Sequence, residues 1–285
     1  MFSFFKNKVD PKAQLKKVLQ GYQLPSFPAV ILQILQKIRD PQASAADIAQ
    51  TLSLDPGLSV SILSIANSAA FSPKRRIENL TQGIALVGLS QLESLVLGVG
   101  AAKGIPKQEC LWHDPAAFWL TAARRAMLAS ELSRILCPAK ESECFTAAFL
   151  QDMALPFLAC NRSDVYEPIF KTWHLDGGDL AQLEREALEW DHAEVATWIC
   201  AEWGLPENIA LAIRDHHNPD VDQDPKTLRP IRLVSILREA ESNDGVDEMI
   251  ASAAADYDIP EARMQEIIDR SFLKAQDLAQ MIVSR

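Results

Sequence analysis

Residues 24–72 read LPSFPAVILQILQKIRDPQASAADIAQTLSLDPGLSVSILSIANSAAFS, and the pattern predicts three short helices separated by turns. Pro28 opens the first helix, in which apolar residues recur every three or four positions on one face. Ser44 and Asp47 are spaced as a capping box for the second helix. Asp55, followed by a proline, is typical of the start of the third. No stretch of the chain alternates long enough to predict a strand, so we expect an all-α fold.

The irregular stretch KGIPKQECLWHDP (103–115) is the best candidate for a domain boundary, because glycine and proline interrupt the helical pattern there. We therefore predict an N-terminal helical part at 1–105, packed on a second helical part at 106–285. Before the boundary, Ser90 and Glu93 are spaced as a further capping box. After it, longer helices are predicted at 116–136, 141–159, 179–189, 192–203, 206–216, 229–241, 247–256 and 260–283.

Composition limits the classes of function. The 285 residues are 48% apolar and 23% charged, with a net charge of −10, and an acidic chain of this kind disfavours broad binding to nucleic acid. The five cysteines form no CxxC pair, which is typical of reduced, mostly buried thiols. No segment approaches the roughly 18 apolar residues of a membrane span. We expect a cytoplasmic protein without a membrane span.

Residues 46–68 have the outline of a helix-turn-helix, which leaves open a DNA-binding regulator. A DNA-reading helix presents basic or amide side chains to bases and phosphates. The second helix here offers serines and Asn67 but no positive charge, and the nearest basic cluster, Lys74, Arg75 and Arg76, follows in a loop. Plain packing of two helices is the simpler interpretation, and nucleic acid is not an expected partner.

Three short segments could supply metal ligands: FLQDMALP (149–156), DHAEV (191–195) and RDHHNP (214–219). Histidine and carboxylate side chains are the ligands of divalent metals that attack phosphorus with a bound hydroxide. Histidines in a helix's first turn or at its end also often face solvent or pack on a neighbour. Both interpretations stay open for the ligand candidates of these segments, which are Asp152, His192, His216 and His217.

The chain resembles the HDOD family of bacterial signalling proteins. The likeness is strongest in residues 24–72, through the LP-x-x-P opening, the DP-x-LS turn and the ANSAAF segment, and continues through IENLTQGIALVGLSQLESLVLG (77–98). It is looser in FLQDMALP, at 191–219, and in IRLVSILREAE (231–241). That family is similar to HD-type metal phosphohydrolases without their complete metal site. The resemblance implies an N-terminal helical bundle packed on an HD-like helical bundle.

Carrying the HD pattern over by resemblance shows what this chain lacks. Thr121 stands where the first metal histidine is expected, and Gln151 replaces the histidine of the His-Asp pair. Arg238 falls closest to the distal aspartate. We infer that the guanidinium of Arg238 pairs with Asp152 and fills the former metal cavity. His192, His216 and His217 match histidines of two-metal relatives.

The resemblance then implies a non-catalytic regulatory module that binds a signalling protein or a nucleotide messenger. No metal is expected on this interpretation. The alternative is a metal-dependent phosphohydrolase that holds iron, manganese or zinc through Asp152 and the three histidines. A messenger site would need basic side chains that face a pocket. Arg124, Arg125 and Arg214 are candidates for it, although arginine pairs on a helix more commonly face solvent, and the Lys74–Arg76 loop is a candidate partner contact.

Overall fold

The computed structural model describes residues 10–68, 73–106, 114–218, 228–238 and 245–283. All regular structure in these ranges is helical, which confirms the all-α fold. The first part of the chain contains six helices: α1 (Pro11–Val18), α2 (Ala29–Ile38), α3 (Ala45–Leu52), α4 (Pro56–Ala66), α5 (Leu80–Val87) and α6 (Leu89–Gly104).

The predicted caps of α3 and α4 are confirmed. Ser44 Oγ accepts the backbone N–H of Asp47 at 3.2 Å, and the Asp47 carboxylate accepts the backbone N–H of Ser44 at 2.9 Å. Asp55 caps α4 by accepting the backbone N–H of Leu58 at 2.8 Å. Each cap satisfies an N–H that has no partner inside its helix.

The predicted capping box of Ser90 and Glu93 is wrong. Gly88, not Ser90, precedes α6, and it makes no side-chain cap. Its φ of 82° lies in the left-handed region, which glycine adopts without steric cost. The chain can therefore turn sharply between α5 and α6, and Ser90 falls inside the first turn of α6.

The second part of the chain begins with α7 (Pro115–Leu136), a long helix on which three of the later helices pack. A short 3₁₀ turn (Pro138–Lys140) joins it to α8. The remaining helices are α8 (Glu141–Leu150), α9 (Leu155–Asn161), α10 (Ser163–Asp176), α11 (Leu180–Leu188), α12 (His192–Trp203), α13 (Glu207–Arg214), α14 (Arg229–Ser235), α15 (Val246–Tyr257) and α16 (Glu261–Val283). Helix α10 was not predicted, and α14 ends at Ser235 rather than at residue 241.

The predicted continuous helix 141–159 is interrupted at residues 151–154, between α8 and α9. Pro156 supplies the physical reason, because a proline in a helix interior lacks an N–H and its ring clashes with the carbonyl four residues earlier. That carbonyl belongs to Asp152. The helix restarts with Pro156 in its first turn, so Asp152 lies in a buried turn rather than on a helix face.

One hydrophobic core extends through both parts of the chain. Trp203, the last residue of α12, joins them: its indole N–H donates to the carbonyl of Pro25 at 2.8 Å, and its ring centroid lies 5.5 Å from that of Phe27. The C-terminal end of α6 also approaches this tryptophan at Gly104. The division at residue 105 stays a prediction, since residues 107–113 lie outside the described ranges.

In the described part of the chain, no single helix has the length and apolar character needed to cross a membrane. The pair α5 and α6 meets both criteria together, but the two helices are bent by 112° at Gly88.

Candidate metal centre and adjoining pocket

Four potential metal ligands converge in the second half of the molecule. Asp152 comes from the turn between α8 and α9, and His192 is the first residue of α12. His216 and His217 follow the end of α13. One ligand atom from each of the four lies within 4.8 Å of the others. Residues up to 65 positions apart in the sequence, 152 against 217, thus meet at one point, as the metal-binding alternative requires.

The three imidazole rings are oriented alike. Each has its Nδ1 against an oxygen: Glu184 Oε2 at 2.6 Å from His192, the Ile213 carbonyl at 2.5 Å from His216, and Asp179 Oδ1 at 3.2 Å from His217. A ring whose Nδ1 donates to an oxygen is held, when neutral, with a lone pair on Nε2.

These Nε2 atoms face one another. His192 Nε2 lies 3.3 Å from His216 Nε2 and 3.1 Å from His217 Nε2. Three lone pairs aimed at one small volume repel unless a cation or a proton lies between them. A histidine whose Nδ1 is held by a carboxylate or a backbone carbonyl, with Nε2 directed at the ion, is the usual arrangement around protein-bound metals.

Asp152 completes the cluster with one oxygen. Its Oδ1 is buried and accepts no hydrogen bond, although it lies 3.3 Å from His216 Nε2 and 3.5 Å from His192 Nε2. Its Oδ2 pairs with the Arg125 guanidinium, which also donates through Nε to the Leu237 carbonyl at 3.1 Å. A buried carboxylate oxygen without a partner is costly, and a metal ion would satisfy it.

Burial and neighbouring charges shift the pKa values of the cluster residues. Burial alone would raise the pKa of Asp152, but the charge of Arg125 holds that pKa well below its usual range. Burial would lower the pKa of His192, yet the Glu184 and Asp152 carboxylates raise it well above the ordinary value. For His216, burial and then the charge of His217 lower the pKa to about 4. His216 is therefore neutral near pH 7 and can act as a ligand.

The donor set fits a divalent metal. Three imidazole nitrogens and a carboxylate oxygen suit zinc, iron or manganese, and a buried oxygen without a partner marks the same point. Sequence reasoning missed the two carboxylates that orient the rings, Glu184 and Asp179. Their spacing from the histidines follows no short motif, so only the tertiary packing of α11 reveals them.

The predicted pairing of Arg238 with Asp152 is wrong. Arg238 Nη2 pairs instead with Glu248 Oε2 at 3.0 Å, near the surface. Arg125 is the guanidinium at Asp152, and it is only 5% exposed, so it does not lie on a solvent face. An arginine among the mainly apolar residues of this part of α7 was the sequence signal, because a buried charge requires a partner of opposite charge.

A pocket of about 310 Å³ opens beside the cluster. Its walls combine charged groups from several helices with two aromatic rings. Beyond the four cluster residues, its lining includes Arg125, Arg232, Arg238, Asp179, Glu248, Ser235, Ser252, Trp173 and Tyr257. This volume is at the lower end of the range for small-ligand sites.

The other predicted site residues lie apart from the cluster or add no ligand to it. Thr121 is buried on α7, one turn before Arg125, and Gln151 is buried beside Asp152 with no hydrogen-bond partner for its amide. Arg124 is half-buried, with its guanidinium carbon 4.4 Å from the Phe272 ring centroid. Arg214 pairs with its neighbour Asp215 at 2.6 Å.

The predicted helix-turn-helix consists of α3 and α4. The serines of α4 bond to nearby carbonyls: Ser59 to that of Leu52 at 2.9 Å, and Ser61 to that of Gly57 at 3.0 Å. The Asn67 amide is engaged by the carbonyl and N–H of Ile77. These groups stabilise the local packing, which favours the structural interpretation of residues 46–68. The Lys74, Arg75 and Arg76 side chains are exposed in the loop that follows.

The HDOD domain model matches residues 24–219, more than half of the chain. The chain therefore belongs to the HDOD family. An uncharacterized protein of Treponema pallidum (strain Nichols) is 23% identical over 216 residues, which are 73% of this chain and 40% of that protein. The chain thus spans about two fifths of the length of this curated relative.

Solved structures share the fold. A provisionally named phosphohydrolase from Shewanella amazonensis SB2B has a TM-score of 0.74 at 18% identity, over 95% of this chain and 98% of that one. A provisionally named signal transduction protein from Marinobacter aquaeolei VT8 has a TM-score of 0.72 at 18% identity. The match covers 100% of this chain and 69% of that one. An HDOD domain protein of unknown function from Geobacter sulfurreducens has a TM-score of 0.66 at 17% identity, over 90% and 99%. At these identities the likeness shows the fold alone.

Proposed function

We propose that this HDOD protein is a non-catalytic signalling module whose pocket binds a phosphorylated ligand, such as a nucleotide messenger, beside one divalent metal. Asp152, His192, His216 and His217 would hold the metal. The observation that carries the proposal is the orientation of the three imidazoles, each with Nδ1 against an oxygen and Nε2 toward the unpaired Asp152 Oδ1. The expectation of a metal-free module came from the ligand positions that the chain lacks, and this donor geometry favours the metal-binding alternative.

The absence of catalysis is supported by Arg125. Two-metal phosphohydrolases place their ions about 3.5–4 Å apart, and a carboxylate that bridges them uses both of its oxygens. Here the guanidinium occupies Asp152 Oδ2, and Gln151 supplies no imidazole for a second ion. Four protein donors on one ion also match the closed coordination of structural metal sites, which leaves no position for a hydroxide.

The ligand class follows from the charges of the pocket. Among the described lining residues, three arginines (Arg125, Arg232 and Arg238) balance three carboxylates (Asp152, Asp179 and Glu248). A divalent metal adds two positive charges to this balanced set. When bound, it would attract phosphate groups through its charge without coordinating them, while arginines offer planar pairs of donors to the same groups. Trp173 and Tyr257 provide apolar surface for a base.

Metal content tests the first half of the proposal. The protein is purified without chelator, dialysed and analysed for transition metals by elemental mass spectrometry. We expect close to one ion per chain, lost in His192→Ala and kept in His174→Ala, a matched control in which an exposed histidine is removed. Metal-free, folded wild-type protein that takes up none of zinc, manganese or iron would refute the metal site.

Ligand binding tests the second half, with pyrophosphate as the probe in isothermal titration calorimetry. Metal-loaded protein should bind it at least about tenfold more tightly than stripped protein, because the metal supplies the excess charge. Arg238→Ala should weaken binding, whereas Arg263→Ala, at an exposed arginine of α16, should not. Equal affinity with and without metal would remove the metal from ligand binding.

The second candidate function is metal-dependent phosphodiester hydrolysis. The convergent donor set favours it as well, and one solved structure with this fold is provisionally named a phosphohydrolase. Turnover of bis(p-nitrophenyl) phosphate by the metal-loaded protein separates the two candidates. We expect a rate no higher than that of His192→Ala. Turnover abolished by that substitution would make the protein an enzyme.

A further inference from the structure

Two cysteines face each other where the chain turns from α7 into α8. Cys137 caps the C-terminal end of α7 and Cys144 lies in α8, with the two Sγ atoms 3.6 Å apart. The sulfurs of a disulfide are about 2.05 Å apart, so a closure of roughly 1.5 Å would join them. The intervening 3₁₀ turn (Pro138–Lys140) is the only regular structure between the two helices.

The two thiols differ in their surroundings. Cys144 is fully buried, whereas Cys137 is partly exposed at the C-terminal cap of α7, where its backbone N–H donates to the carbonyl of Ser133 at 2.7 Å. A hydrogen bond from Cys144 lowers the pKa of Cys137; burial opposes this, and the charges of Arg229 and Lys140 favour it. Burial and the neighbouring Cys137 raise the pKa of Cys144 far above its ordinary value. Thiolate character and access, which control oxidation of cysteine, thus both favour Cys137 as the attacking sulfur.

We propose that Cys137 and Cys144 form an oxidation site, which a hydroperoxide converts to an intramolecular disulfide. The Cys137 thiolate attacks the peroxide, the O–O bond breaks, and Cys137 becomes a sulfenic acid. The departing alkoxide takes up the proton that Cys137 lost and leaves as an alcohol (water for hydrogen peroxide). Cys144 then attacks that sulfur: the S–S bond forms, the S–O bond breaks, and the departing hydroxide takes the Cys144 proton as water. Together the two thiols lose two electrons, and these electrons reduce one peroxide.

The position of this site relates it to the metal centre, although the proposal does not depend on the metal. The α7–α8 hairpin carries the cysteines at its closed end. Arg125 lies further along α7 and pairs with Asp152, which lies in the turn that follows α8. At about 1.5 Å per residue, Cys137 lies about 18 Å from Arg125 along α7. A disulfide would tie the hairpin covalently at the end opposite to that ion pair.

The experiment uses the full chain, reduced, freed of reductant and exposed to hydrogen peroxide under native conditions. Remaining thiols are blocked with N-ethylmaleimide in denaturant, and trypsin is added. Cleavage after Arg134, Lys140 and Arg162 places Cys137 in peptide 135–140 and Cys144 in peptide 141–162. A disulfide therefore appears as a covalent link between two distinct peptides. Chymotryptic cleavage after Phe145 and Phe149 then separates Cys144 from Cys160 in the second peptide.

We expect the linked peptide in wild-type protein, its loss in Cys137→Ser and its persistence in Cys160→Ser, the matched control at another partly exposed cysteine. Far-UV circular dichroism verifies that each variant is folded. The intact mass should fall by two hydrogen atoms in wild-type protein and in Cys160→Ser, but not in Cys137→Ser. Recovery of both cysteines as maleimide adducts after peroxide treatment, or a link that involves Cys160 in place of Cys144, would overturn the proposal.

Discussion

Glu184 accepts two side-chain hydrogen bonds on opposite oxygens, from His192 Nδ1 at 2.6 Å and from the Tyr166 hydroxyl at 2.7 Å. It also accepts the backbone N–H of His192 at 2.8 Å. All three residues are buried, so the carboxylate fixes both the tautomer and the ring orientation of the first residue of α12. Glu184 is therefore a positioning residue for the proposed metal ligand.

Replacing this carboxylate should weaken the metal site without removing a ligand. We expect Glu184→Gln to lower metal affinity by about 10- to 100-fold, the usual effect of losing an outer partner of a ligating histidine. Competition against a chromogenic chelator measures it. Glu186→Gln, an exposed position on the same helix, should leave the affinity unchanged. If both variants bound metal as the wild type does, the orienting role of Glu184 would be wrong.

Arg125 should contribute strongly to stability. Arg125→Ala leaves the Asp152 Oδ2 atom and the Leu237 carbonyl without their buried donor, and breaking a buried ion pair from one side costs about 3–5 kcal/mol. Adjacent Arg124 makes a cation–π contact, so Arg124→Ala should cost about 1 kcal/mol. Urea unfolding of metal-stripped protein measures both variants. Equal losses of unfolding free energy in the two variants would show that the buried ion pair contributes no more than the cation–π contact.

Glu131 should make the attachment of α16 dependent on pH. This carboxylate on α7 contacts Arg270 and Lys274 of α16, each at 3.0 Å, and Arg134 at 3.3 Å. Burial alone would raise the pKa of Glu131, but the Lys274 hydrogen bond and the three positive charges lower it below its ordinary value of 4.5. The stability it contributes is therefore present above that value and lost as pH falls through the lower, folded-state pKa.

Glu131→Gln should accordingly lower the free energy of unfolding by about 1–2 kcal/mol at pH 7, since the cations are partly exposed. The difference from wild type should be smaller at pH 3 than at pH 7, because protonation of Glu131 removes the same charge that the substitution removes. Urea unfolding at the two pH values measures this. Glu266→Gln, at an exposed ion pair within α16, provides the control and should have little effect at either pH. A difference that persists undiminished in acid would contradict the assignment.

Substitution by alanine should change stability in opposite directions at two helical glycines. A Cβ at Gly100 of α6 would lie 2.8 Å from Ile31 and 2.9 Å from Phe27, closer than packed atoms approach. A Cβ at Gly83 of α5 would meet its nearest atom at 3.6 Å, an ordinary contact. We expect Gly100→Ala to destabilise by about 1–3 kcal/mol through overpacking. Gly83→Ala should stabilise by about 0.5–1 kcal/mol through helix propensity, and thermal unfolding of the pair tests the contrast.

Local signals predicted the parts of the fold that depend on local chemistry. The caps at Ser44 and Asp55 were readable because a capping side chain bonds an N–H two or three residues away. The break at Asp152 was missed, although Pro156 marked it, because the apolar pattern continues through both halves. The candidate ligands were readable as residue types, but their convergence depends on packing between α8, α12 and α13. Arg125 pairs with a residue 27 positions away and Glu184 with one 8 positions away, and these spacings follow no repeat.

Helix α12 begins at His192, a candidate metal ligand, and ends at Trp203, which contacts Pro25 and Phe27. Its twelve residues span about 18 Å, and the backbone hydrogen bonds of its interior make it a stiff element. A partner that engaged the Pro25–Phe27 segment and displaced Trp203 would therefore act on His192 through a single element. By thermodynamic reciprocity, occupancy of the metal centre would alter that partner's affinity by the same factor. Helix α12 thus connects the Pro25–Phe27 segment directly to the candidate metal centre.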